Sequence, residues 1–146
     1  MQISDEDRRR RKGKIILSVE DEPAMSAYIE AVLEEAGFTV MVARTGEEGL
    51  TLLARLQPAL ILLDVELPGD NGYRICAEMR RRNPDLRAPV LFLTARRTAD
   101  DVQRAKEVGG AQFLIKPLTP DRLVDRVVYA LGAGRLRGSA PPTDRS

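Results

Sequence analysis

Leu60-Ile61-Leu62-Leu63-Asp64 is the stretch that decides the fold. Four apolar residues in a row carry no polar alternation, so a strand here has both faces buried, as in a parallel sheet covered on two sides. Working outward, the same kind of run recurs at Ile15-Ile16-Leu17-Ser18-Val19, Thr39-Val40-Met41-Val42, Pro89-Val90-Leu91-Phe92-Leu93 and Gln112-Phe113-Leu114-Ile115. Between these runs lie helix signals. Pro23 suits the first turn of a helix reaching about Glu35, with Gly37 as its stop. Thr45-Gly46-Glu47-Glu48 is a capping-box pattern and opens a second helix that ends before Pro58. A loop holding Pro68, Gly69 and Asn71 leads into a third helix over Gly72 to Arg82, and Thr98 to Asp101 opens a fourth that stops at Gly109-Gly110. Thr119-Pro120 starts a fifth, running to about Leu131. Alternation of this kind implies an α/β fold, a doubly wound five-stranded parallel sheet of (βα)5 type with helices on both faces.

The ends read differently. Residues 1–13 are polar, with Asp5-Glu6-Asp7 followed by Arg8-Arg9-Arg10-Arg11-Lys12, and from Gly132 the chain turns to Gly, Arg, Ser and Pro. Neither has a core-forming pattern, so residues 1–13 and 132–146 are expected to be flexible extensions around one domain at 14–131. The basic run is expected to be a solvated arm, because acids adjoin it and no aromatic residues interleave.

Composition narrows the chemistry. The 146 residues are 43 % hydrophobic and 31 % charged, with a formal net charge of +1. That balance makes no case for nucleic acid as a partner. No apolar run is long enough to span a bilayer and none resembles a signal peptide, so a cytoplasmic protein without membrane insertion is expected. The chain has no histidine, which excludes imidazole metal sites, catalytic triads and a phosphohistidine of its own. One cysteine, Cys76, excludes an internal disulfide and a multi-cysteine zinc site, and is expected to pack inside the third helix. Any metal must rest on oxygen ligands, which suit hard cations.

In open parallel sheets, sites form beyond the carboxyl ends of the strands. The first run ends in Glu20-Asp21, the third in Asp64, the fourth in Thr94 and the fifth in Lys116-Pro117. Three carboxylates gathered at one edge repel unless a cation sits among them. Mg²⁺ fits, because it binds through few carboxylates and keeps waters to exchange for phosphate oxygens. A carboxylate nucleophile, a metal, a lysine and a hydroxyl are together suited to phosphoryl transfer.

At these residues the sequence resembles the receiver domain of two-component response regulators, over about residues 14–131. The motifs stand in order: Glu20-Asp21; Leu62-Leu63-Asp64 with Pro68 and Gly72; Phe92-Leu93-Thr94-Ala95; and Phe113-Leu114-Ile115-Lys116-Pro117. The resemblance implies the flavodoxin-like strand order 2-1-3-4-5. It implies Asp64 as phosphoacceptor, with Mg²⁺ held by Glu20, Asp21, Asp64 and the backbone carbonyl of Glu66. It implies that Thr94 and Lys116 bond phosphoryl oxygens, that Phe113 is an aromatic switch rotating inward on phosphorylation, and that the Lys116–Pro117 bond is cis. Two positions depart from the commonest pattern: Glu20 stands where Asp is frequent, and Phe113 lacks the hydroxyl of the more frequent Tyr. Glu66 is an acid close enough to tune phosphoryl lifetime.

Nothing after Leu131 has the pattern of an output domain, so the expectation is a stand-alone receiver and not a conventional enzyme. Mg²⁺-dependent self-phosphorylation and slow self-dephosphorylation are expected of it. The donor would be a histidine kinase or a histidine phosphotransfer protein. Output would pass to a partner protein at the face of the fourth helix, fifth strand and fifth helix, and a homodimer formed on phosphorylation stays open. Two other readings use the same residues. An aspartyl-phosphate phosphatase of haloacid dehalogenase type needs a second Asp two residues after the nucleophile, where this chain has Glu66. A receiver-shaped binding module independent of phosphorylation would have no need of Glu20, Asp21, Asp64, Thr94 and Lys116 together.

Overall fold

The computed structural model describes residues 3–95, 97–109 and 112–132. The decisive stretch is strand β3, Leu60–Asp64, with all five residues buried. It pairs in parallel with β1, Ile15–Val19, on one side and β6, Val90–Thr94, on the other. β2, Thr39–Ala43, flanks β1, and β7, Gln112–Ile115, flanks β6. The sheet order is β2-β1-β3-β6-β7. Counting those five strands alone, this is the doubly wound order 2-1-3-4-5.

Side-chain alternation along the strands divides the core into two layers. Leu17, Val19, Ile61, Leu63, Phe92 and Phe113 face α3 (Gly46–Leu53), α4 (Gly72–Arg82) and α5 (Ala99–Glu107). Ile16, Leu60, Leu62, Leu91, Leu93 and Leu114 face α2 (Pro23–Glu35) and α6 (Pro120–Gly132). Cys76 is fully buried in α4, as its apolar setting in the sequence implies. No described helix is long and apolar enough to cross a membrane.

Three details differ from the sequence reading. The N-terminal extension, expected to lack regular structure of its own, carries a helix, α1, at Asp5–Lys12. Ser4 Oγ accepts from Asp7 N at 3.0 Å, acids fill the first turn and bases the last, as the helix dipole favours. With no apolar stripe, α1 buries none of its residues and is held by polar contacts instead. Arg11 Nη1 donates to Ala36 O at 3.0 Å with its guanidinium 5.3 Å from the Phe38 ring centre, and Arg8 Nη2 donates to Glu35 O at 3.4 Å. Gly37, at φ 100°, makes the turn on which α1 rests, and a Cβ there would lie 3.3 Å from Arg8 Cα.

The loop after Asp64 is also more regular than expected. β4, Glu66–Leu67, pairs antiparallel with β5, Asp70–Asn71, around Pro68-Gly69. Gly69 has φ 68°, and proline followed by a positive-φ glycine is what a type II turn takes. In the capping pattern at Thr45, the hydroxyl accepts from Glu48 N at 3.0 Å, but the Glu48 carboxylate reaches Arg44 N rather than closing the box on Thr45. The reciprocal capping box forms at Thr98 and Asp101 instead. α6 extends to Gly132, and the expectation of a flexible tail beyond it lies outside the described residues.

Candidate functional site

Four of the five strands of the main sheet, β1, β3, β6 and β7, end in or lead directly into a polar residue at one edge of the sheet. Asp64 closes β3 and is 3 % exposed, and Thr94 closes β6 and is 4 % exposed. Glu20 follows β1 and is 1 % exposed, with Asp21 half-buried beside it. One oxygen from each of Glu20, Asp21 and Asp64 lies within 4.8 Å of the others, a spacing that could hold a metal ion. Lys116 follows β7, and its Nζ donates to Asp64 Oδ2 at 3.1 Å. The other Asp64 oxygen, Oδ1, accepts from Glu66 N at 2.8 Å. Glu66 itself is exposed at the start of the β4–β5 turn. The Lys116–Pro117 peptide is cis.

Charge is unevenly matched here. Burial, followed by the proximity of Asp64, pushes the Glu20 carboxyl up to about 8. Burial alone would pull the Lys116 ammonium down, but its hydrogen bond to Asp64 and the neighbouring acids outweigh that, and the net shift is upward. Among the described residues, Lys116 is the cation set against this cluster of three carboxyl groups. Glu20 Oε2 is buried with no hydrogen-bond partner among the described residues. A buried carboxyl oxygen without a partner, on a residue that clusters with two other acids, is what a cation would satisfy, so the donor set fits a hard divalent ion.

Phe113 is 7 % exposed, its ring centre 5.7 Å from Phe92 and 6.5 Å from Tyr73. The inward swing implied by the resemblance would start from an outward ring, whereas here the ring is already inward. A phenyl group has no polar tip to keep in water, so burial against two other rings is its favoured place. The sequence reading did not single out Tyr28, Tyr73, Asp101 or Arg122. Tyr73 Oη donates to Asp101 Oδ1 at 3.0 Å and joins α4 to α5 beside Thr94. Tyr28 and Arg122 both donate to the backbone around Lys116. These contacts span 28 and 90 residues of chain in the two tyrosine cases, and no local pattern signals them.

The family model described as the response regulator receiver domain matches residues 16–128. The response regulator MtrA of Mycolicibacterium smegmatis, described as DNA-binding, is 38 % identical over 112 residues, covering 77 % of this chain and 48 % of that protein. The transcriptional regulatory protein AfsQ1 of Streptomyces coelicolor is 36 % identical, covering 88 % of this chain and 54 % of its own length. The chain thus spans about half the length of these relatives. Among solved structures, the chemotaxis protein CheY4 of Vibrio cholerae superposes with a TM-score of 0.77 at 26 % identity, over 80 % of this chain and 98 % of that one. A response regulator from Chloroflexus aurantiacus, titled as putative, gives 0.74 at 34 % identity, over 82 % and 98 %. Sheet order, strand-end acids and these likenesses agree: the chain belongs to the response regulator receiver domains of two-component systems.

Proposed function

We propose that this receiver is a phosphorylation-dependent switch whose acceptor is Asp64, charged by a phosphohistidine on a histidine kinase or histidine phosphotransfer protein. The observation that carries the reading is the buried Asp64 carboxylate held between Lys116 Nζ and Glu66 N and clustered with the carboxyl groups of Glu20 and Asp21. Glu20, Asp21, Asp64 and the main-chain carbonyl of Glu66 would hold Mg²⁺, which when bound offsets the carboxylate charge and that of the incoming phosphoryl oxygens.

An Asp64 oxygen attacks phosphorus. The P–O bond forms as the P–N bond to the donor imidazole breaks, and the departing nitrogen keeps the bonding pair. Lys116 then moves its hydrogen bond from Asp64 to a phosphoryl oxygen, and the Thr94 hydroxyl bonds another. Thr94 ends β6, and the segment that follows leads to the N-cap of α5 at Thr98, so drawing Thr94 inward pulls on that helix. Phe113, packed under the same helix layer, stays buried and transmits the shift to the face of α5, β7 and α6. A partner protein, or a second copy of the chain, would read that face. The chain is not a conventional enzyme in this reading. It transfers one phosphoryl group to itself, and hydrolysis of the acyl phosphate, tuned by Glu66, resets it. These 146 residues hold no histidine, so the phosphoryl group comes from a donor outside them.

The test is label transfer from phosphohistidine donors. The wild-type chain should take up label in a Mg²⁺-dependent way and Asp64→Asn should not. Equal labelling of Asp64→Asn would move the acceptor elsewhere, and no labelling from any cognate donor or from acetyl phosphate would favour a phosphorylation-independent binding module. Turnover of generic phosphate esters would favour the phosphatase reading.

A further inference from the structure

The geometry points to Arg122 as a positioning residue for Lys116, an inference that rests on the phosphoryl-transfer reading above. Lys116 sits just past the end of β7, where ladder hydrogen bonds run out. Its backbone N donates to Thr94 O at 2.8 Å, which fixes one side of the residue. The flanking carbonyls turn towards the helix layer and are met by side chains. Arg122, in the first turn of α6, donates through Nη2 to Ile115 O at 2.8 Å and through Nη1 to Pro117 O. One guanidinium therefore bridges the residues immediately before and after Lys116. From α2, Tyr28 Oη donates to Leu118 O at 2.6 Å and extends the same support by one residue.

A planar guanidinium presents donors in a rigid fork, so two carbonyls held by it keep a fixed separation. That is a tighter constraint on the intervening residue than two independent bonds. Pro117, the next residue, has no backbone N–H to donate, so the chain after Lys116 adds no main-chain bond at that point. The Lys116 side chain is half-buried and reaches Asp64 at 3.1 Å, a contact that a small tilt of its backbone would break. Positioning errors of about 1 Å cost up to about a hundredfold in well-aligned sites. A clamp on the lysine's backbone thus acts on phosphoryl transfer without touching the phosphoryl group.

The test is a double-mutant cycle between Arg122 and Lys116, read by the rate of Mg²⁺-dependent phosphorylation from acetyl phosphate. Arg122→Ala should lower the rate at saturating donor by about tenfold with little change in the donor concentration giving half that rate. Arg122→Lys, which can reach one carbonyl, should recover part of the loss. In the Lys116→Ala background, Arg122→Ala should have no further effect, because its action passes through Lys116. The same loss in both backgrounds, or no loss in a folded Arg122→Ala, would overturn the assignment. A second readout needs no phosphodonor: acylation of Lys116 by an amine-reactive reagent, mapped by mass spectrometry. It should rise several-fold in Arg122→Ala and by less in Arg122→Lys. Unchanged acylation would overturn the clamp even if phosphorylation slowed. If the wild-type chain takes no phosphoryl group while Lys116 acylation still rises, the clamp stands and the phosphoryl-transfer reading falls.

Discussion

Gly72→Ala should disturb the acceptor more than its size suggests. Gly72 is the first residue of α4, is buried, and donates its N–H to Val65 O at 2.8 Å. A Cβ on it would lie 2.5 Å from Asp64 O, 3.0 Å from Val65 Cα and 3.1 Å from Asp64 C. All three neighbours are backbone, so no side chain can swing aside. Against an ordinary contact of 3.4 Å, the Asp64 carbonyl is about 0.9 Å too close. Either α4 or the end of β3 must move by that amount. Overpacking of this kind costs about 1–3 kcal/mol, or a drop in Tm of about 3–10 °C for a domain of this size. The displaced atoms belong to Asp64 and its successor, so Mg²⁺-dependent phosphorylation should slow by more than the stability loss explains. Gly13→Ala is the matched control. Nothing lies within 4 Å of a Cβ there and φ is −85°, so it should be neutral or slightly stabilising. The assay is thermal unfolding of both variants with phosphorylation rates at a temperature where both are folded. Wild-type Tm and rate in Gly72→Ala would refute the close-approach reasoning.

Glu20 gives the pH dependence. Its folded pKa, about 8, lies above the ordinary carboxyl value of 4.5, so the folded state holds more protons than the unfolded state between them. Metal-free stability should therefore fall as pH rises from about 5 to about 8, and Glu20→Gln should flatten that slope; parallel urea midpoints for the two proteins across this range would contradict it. Arg11→Ala removes both the Phe38 stacking and the bond to Ala36 O and should cost about 1–2 kcal/mol in urea unfolding, with Arg11→Lys recovering only part. A midpoint unchanged by Arg11→Ala would show that α1 does not brace the domain. Tyr73→Phe strips one hydroxyl from the Asp101 contact and should cost about 1–3 kcal/mol while leaving the Phe92 and Phe113 packing in place. Unaltered amide exchange in α5 would argue that this contact does not hold the helix.

The sheet was readable from the sequence because its strands are buried on both faces. A run such as Leu60–Leu63 has no alternative environment, and the helix boundaries followed from Pro23, Gly72 and Thr119. Glu20, Asp21, Asp64, Thr94 and Lys116 were readable as a group for a topological reason: a parallel sheet brings every strand's carboxyl end to one edge. α1 has no apolar stripe to mark it in the sequence; the Ser4 cap and its acid-to-base order are the signals it does carry. The clamp at Lys116 was out of reach, since Arg122 and Tyr28 look like an ordinary helix residue and an ordinary half-buried aromatic until the fold carries them to the same loop. The inward Phe113 depends on where Tyr73 and Phe92 stand, which local pattern does not state.

The most direct test of Asp64 as acceptor is peptide-mapped mass spectrometry of the chain after acetyl phosphate and Mg²⁺, with the acyl phosphate trapped by borohydride reduction. One modified site at Asp64, lost when Mg²⁺ is chelated and absent in Asp64→Asn, is the expected result. A modification that maps to any other residue, or that persists at full yield in Asp64→Asn, would contradict it.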